Sequence, residues 1–275
     1  MKTLFSRMAV IVLVVGLLAG VAWLEWPTPP APQPLAAPVD EARLAEAAIA
    51  AYREEHEMAA AGKAGQWKFD ASASNGGGEF VGVFGPLVRV RDAAGQGWLL
   101  TTLNADTAES AGDGMDSFAA SGVNRMLLFA LRDGQYRLAA EEQLEMGTNG
   151  MAGSAKVAQL GPRQWGWVLQ GGYLQQGYSA TNVHFFRADG GKIRSMGTLV
   201  SEADNSGACG EQGSAACPLT ALKVEWRWQQ VADDFWPLQV SWRGKLEGRA
   251  VTKQLSLLPN GQGEYPFPQE LNIQF

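Results

Sequence analysis

The chain has 275 residues, 46% of them hydrophobic, with 10 tryptophans and a formal net charge of −6. That much apolar surface can offset chain entropy, which excludes a disordered protein, and the length suffices for one main domain with its own core. The basic residues are scattered and outnumbered, which excludes a nucleic-acid binder, because a phosphate backbone calls for a basic stripe.

Lys2 and Arg7 precede an apolar run from Met8 to Leu24, and Trp23 and Trp26 stand at its far end. A helix over that run covers roughly 25 Å, the short limit for a hydrocarbon core of about 30 Å. Positive charge holds the N-terminus in the cytoplasm, and the tryptophans suit the opposite interface. Residues 1–26 therefore read as a single-pass anchor in the inner (cytoplasmic) membrane, held there by residues 8–24, with the C-terminal domain in the periplasm. Cleavage as a signal peptide, giving a secreted protein, is the competing reading, since Gly20 and Ala22 are small residues of the kind a signal peptidase requires. Continuation of the run through Leu24 suits the anchor better. Residues 27–39 form a linker whose prolines, at 27, 29, 30, 32, 34 and 38, give a stiff polyproline spacer of roughly 35–40 Å.

Asp40 suits a helix cap, and the pattern predicts a helix over 40–62 that stops at Gly62. Leu44, Ala48, Ala51, Tyr52 and Met58 would face the domain, with Glu54, Glu55 and Glu57 in water. From residue 63 to 275 the period becomes two. The clearest case is Leu222–Gln229, where Leu222, Val224, Trp226 and Trp228 alternate with Lys223, Glu225, Arg227 and Gln229. Trp236–Trp242 repeats the pattern across a turn holding Asp233 and Asp234, and Arg249–Leu258 adds a third strand of a meander. Further strands are expected at 80–84, 87–91, 98–103, 126–132, 135–139, 156–160, 164–170, 182–187 and 192–200. Turn chemistry separates them at Gly85-Pro86, Asp133-Gly134, Gly161-Pro162, Gly190-Gly191 and Asn260-Gly261. The segments 127–138 and 184–196 echo each other: an aromatic strand, an Asp-Gly turn and a returning strand with arginine. The expected fold is all-β and antiparallel, a two-sheet sandwich or flattened barrel, preceded by the transmembrane segment and one soluble helix. A propeller-like ring is the alternative, disfavoured by uneven turn spacing.

Cys209 and Cys217, separated by small residues, are expected to form a structural disulfide outside the cytoplasm, worth roughly 2–3 kcal/mol. They lack Cys-x-x-Cys spacing for redox work. Glu202, Asp204, Asn205 and Glu211 around that bridge supply hard oxygen ligands without calcium-loop spacing, and Asp106, Glu109, Asp113 and Asp116 form a second acidic stretch. Neither predicts a metal, and no cofactor motif occurs. His56 and His184 are the only histidines, Ser154 and Lys156 share a strand face by alternation alone, and no nucleophile elbow, Walker loop or zinc helix is present. No catalytic residue is assigned. Tyr173 and Tyr178 flank a glycine-rich run near turns and are candidate binding residues with Asp204 and Glu211, whereas Trp165 and Trp167 alternate as core residues do.

The sequence thus points to a membrane-tethered periplasmic binding or structural module of a bacterial-type cell envelope, non-catalytic, with an envelope protein or a glycan as partner. The alternatives are an envelope hydrolase acting on glycan or peptide, with acids such as Asp204, Glu211 or Asp113 converging, and a carbohydrate-binding module.

Overall fold

A computed structural model describes residues 39–73, 77–92, 94–111 and 120–273, and shows the period-two segments as strands of two antiparallel sheets of seven strands each. The first holds β1 (Ala59–Ala60), β2 (Gln66–Ala71), β3 (Gly78–Phe84), β4 (Val88–Arg91), β5 (Gly97–Thr107), β6 (Gly122–Arg132) and β7 (Gln135–Met146). Its order is β1-β2-β3-β5-β6-β7, and β4 lies end to end with β3 along β5. Gly85 bridges that break: its N–H donates to Thr102 O at 2.8 Å, and its carbonyl accepts from Thr101 Oγ1 at 3.0 Å.

The second sheet holds β8 (Ser154–Gln159), β9 (Trp165–Gln175), β10 (Tyr178–Asp189), β11 (Lys192–Asp204), β12 (Ala221–Trp228), β13 (Leu238–Leu246) and β14 (Arg249–Leu257), each paired with its neighbour in sequence. Tight turns join neighbouring strands in both sheets. Asp133-Gly134, Gln176-Gly177, Gly190-Gly191 and Glu247-Gly248 all place two successive residues at positive φ, the backbone that matches the strands' right-handed twist.

Burial explains why β5 and β6 read as nearly continuous apolar runs. Along both, Leu99, Leu103, Val123, Leu127 and Phe129 pack under α1 (Val39–Glu55), against Ala45, Ala48, Ile49 and Tyr52. The alternate residues Leu100, Met126 and Leu128 meet Ala155, Trp167 and Leu169 of the second sheet. Side chains of opposite parity thus enter two different cores, leaving no wet face. Trp167 Nε1 donates to Thr101 O at 2.9 Å and ties the sheets together.

The second sheet has a core of its own around Phe185. β11 and β12 pair only over Glu202–Asp204 with Ala221–Lys223 and then part. Residues 264–271 enter the gap. Tyr265 N–H donates to Met196 O at 2.8 Å, its hydroxyl donates to Trp236 O at 2.8 Å, and Trp228, Tyr265 and Phe267 surround Phe185. Burial pushes the Tyr265 hydroxyl pKa up to about 12. The sheet curls until Trp236 N–H reaches Leu160 O at 2.7 Å, yet no ladder joins β8 to β14. The expected two sheets are present. Neither closes into a barrel, and seven-stranded meanders are not the four-stranded blades of a propeller.

Three expectations change. α1 ends at Glu55 rather than near Gly62, because Glu57 turns into the left-handed region at φ 50° and frees Ala59–Ala60 to pair with β2. Ala51 is exposed, while Ala45 and Ile49 complete the buried stripe of 45, 48, 49 and 52. β1 and β2 were not expected, since Gln66–Ala71 carries only Trp67 and Phe69 as large apolar residues. The anchor at 8–24 and linker residues 27–38 lie outside the described residues. Among the described residues no helix is long and apolar enough to cross a membrane.

Candidate functional site

The four proposed binding residues gather at one end of the second sheet without forming one cluster. The tight turn at Gln176-Gly177 presses against Gly207 in the short helix α3 (Ser206–Cys209). That helix opens the loop closed by the Cys209–Cys217 disulfide, with Cα atoms 5.4 Å apart. Asn205, buried under the loop, accepts from Thr220 N–H at 2.7 Å and donates to Pro218 O at 3.1 Å. The loop is thus closed on itself by a covalent bridge and held at its base by a buried amide, and the hairpin tip rests on it through a close backbone contact.

On this end, Tyr173 pairs with Ala180 and Tyr178 with Gln175. Cross-strand partners share a face, as do residues two apart, so both half-buried tyrosines project from the same side. Asp204 pairs with Ser179 and belongs to the opposite side, where it lines a cavity of about 360 Å³ with Glu202, Lys223 and Arg243. Its Oδ1 accepts from Ser206 N–H at 2.7 Å, and Glu202 lies 3.9 Å from Lys223. Glu211 is exposed on the disulfide loop and does not line the cavity. Two carboxylates share this concavity, but they are Glu202 and Asp204, not the expected Asp204 and Glu211. Asp113 and Asp116 lie outside the described residues.

Other sequence candidates stay apart. Ser154 and Lys156 are both exposed on β8. His184 Nδ1 lies 2.9 Å from Thr198 Oγ1, and burial pushes its pKa down from the ordinary value. His56 stacks on Tyr52 with ring centroids 4.0 Å apart. Among the described residues, no group of His, Cys, Asp and Glu side chains is placed to hold a metal ion.

Two polar clusters were missed. Beneath α1, the nearly enclosed Arg125 donates to Tyr52 Oη at 3.0 Å and lies 3.3 Å from Glu141, to which Tyr52 also donates at 3.1 Å. Desolvation drives the Tyr52 hydroxyl pKa well above its ordinary value, outweighing the opposing pull of Arg125. This cluster bonds α1 to β6 and β7 and is structural. The second, at the far end of β10 from Tyr178, sets Arg187 opposite Arg194 beside a cavity of about 560 Å³. Both arginines were visible in the echoed hairpin, equidistant from Gly190-Gly191, which is the signal that would have paired them. No family model, curated protein or solved structure matches the chain.

Proposed function

We propose that the protein is a membrane-tethered periplasmic module that binds an envelope protein through the stapled end of its second sheet, and that it does so without catalysis. The anchor expected at 8–24 and the proline spacer supply the tether, and the net negative charge disfavours adhesion of the domain to an anionic bilayer. The observation that carries the reading is the rigid mounting of Tyr173 and Tyr178 beside a disulfide-fixed loop. Fixed aromatic side chains give contact area at low entropic cost.

A photo-crosslinking residue at position 178 of the full chain in intact cells is expected to capture a discrete envelope protein, while the same residue at exposed Glu54 captures none. Absence of an adduct from position 178, or equal adducts from both positions, would overturn the proposal. Fractionation and protease treatment of spheroplasts test topology: the untreated chain should stay with the membranes and its domain should be digested from outside, whereas release of the untreated chain as a soluble protein would instead indicate signal cleavage. The two tyrosines on one face also suit stacking on sugar rings. In a carbohydrate-binding module, glycan capture would fall on Tyr173→Ala and Tyr178→Ala alike.

A further inference from the structure

The geometry points to a second binding site, a groove at the turn end of β10 and β11 in which Arg187 and Arg194 take a carboxylate of an acidic peptide. The two arginines are direct partners across the antiparallel ladder. Like charges in that position destabilise a sheet unless something compensates. The compensation is one carboxylate oxygen: Asp189 Oδ2 lies 3.2 Å from Arg187 Nη2 and 2.8 Å from Arg194 Nε. One carboxylate oxygen serving two guanidinium groups leaves guanidinium N–H donors to spare.

Arg187 is held in place before any ligand arrives. Nη2 donates to Gln262 O at 3.0 Å, and its guanidinium carbon lies 5.8 Å from the Phe235 ring centroid. Gly263, at φ +79°, lies so close that a Cβ there would meet the guanidinium carbon at 2.7 Å. Only glycine suits both the turn and the contact. Arg187 Nε is enclosed and has no hydrogen-bond partner among the described residues. Arg194, by contrast, is 51% exposed, meets Asp189 through Nε and lines the groove with a planar guanidinium of the kind that matches a carboxylate. A held guanidinium beside an exposed one on the same sheet face makes an anion subsite.

The groove also carries its own selectivity. Glu264, Ser195 and Gln262 also line it. Asp189 and Glu264 together repel a compact dianion such as phosphate, whose charge is concentrated at one point, whereas an extended acidic peptide can set one side-chain carboxylate against the arginines and keep its others outside the groove. The lining is polar and the groove open, which suits an extended peptide better than a compact apolar ligand.

The test uses the full chain in detergent at low ionic strength and an acetylated, amidated pentaglutamate peptide, read by calorimetry, with pentaglutamine, free glutamate and inorganic phosphate as comparisons. Pentaglutamate should bind, pentaglutamine should not, and free glutamate and phosphate should bind at least tenfold more weakly. Arg194→Gln should weaken pentaglutamate at least tenfold with unfolding temperature unchanged, and Glu264→Gln should tighten it several-fold. Equal binding of the two pentapeptides, tighter binding of phosphate or of free glutamate, or an Arg194→Gln protein that binds as before would overturn the proposal. None of these outcomes depends on the stapled end, since Tyr178→Ala should leave pentaglutamate binding intact.

Discussion

Replacing Trp167 with alanine tests whether the two sheets form one cooperative core. Trp167 has no exposed surface, packs among Leu100, Met126, Leu128 and Met146, and donates its indole N–H to Thr101 O across the sheet interface. Truncating a buried tryptophan costs about 3–5 kcal/mol in transfer and cavity terms, and the lost hydrogen bond adds about 1 kcal/mol. The sum is about 4–6 kcal/mol, a fall in unfolding temperature of roughly 10–20 °C for a domain of this size. Trp165 is the internal control: it lies on the same face two residues away but is only half-buried, so Trp165→Ala should cost about 1–2 kcal/mol. Urea unfolding followed by circular dichroism gives both values, with a single transition and an unchanged slope if the sheets unfold together. Equal costs for the two variants, or a Trp167→Ala cost below about 2 kcal/mol, would refute the assignment of the inter-sheet core.

Burial favours the neutral His184 ring in the folded state. Its folded pKa is therefore below the unfolded value of about 6.5, so its stability contribution is complete above that pH and is lost as pH falls through the folded value. His184→Gln should flatten the decline in urea midpoint between about pH 7 and pH 5; parallel declines in both proteins would exclude this histidine as a cause. Replacing Cys209 and Cys217 together by serine should lower stability by about 2–3 kcal/mol and accelerate amide exchange at Gly177 and Tyr178, which rest on the loop, while β5 and β6 exchange only through global unfolding. Unchanged exchange at the hairpin tip would show that the staple does not fix the proposed binding end.

Alternation made the strands from Phe80 onward legible, because most face one core and one wet side. It worked even for Leu127–Leu131, where both faces are covered, since Asp133-Gly134 marked the turn. What escaped had weak local signals. Gln66–Ala71 becomes a strand because Phe69 docks under α1, a contact made with residues distant in sequence. Arg125 looks like a surface residue until Tyr52 and Glu141, from elements far along the chain, close around it. The disulfide was readable from spacing and neighbours. The division of Tyr178 from Asp204 across the sheet depends on the β10–β11 register, which shifts between Thr181 and Asn182, and no local pattern announces that shift. The arginine groove is half local, through its hairpin, and half remote, through Gln262 and Glu264.

The parting of β11 from β12 has a consequence for biogenesis. Residues 264–271 fill that gap, and they are synthesised after every strand whose interior they complete. During synthesis the second sheet can pair its backbone strand by strand, yet Phe185 and Trp228 stay uncovered until Tyr265 and Phe267 emerge. The nascent chain therefore passes through a stage with its hairpins formed and an aromatic cavity open, the stage at which it is most prone to aggregation.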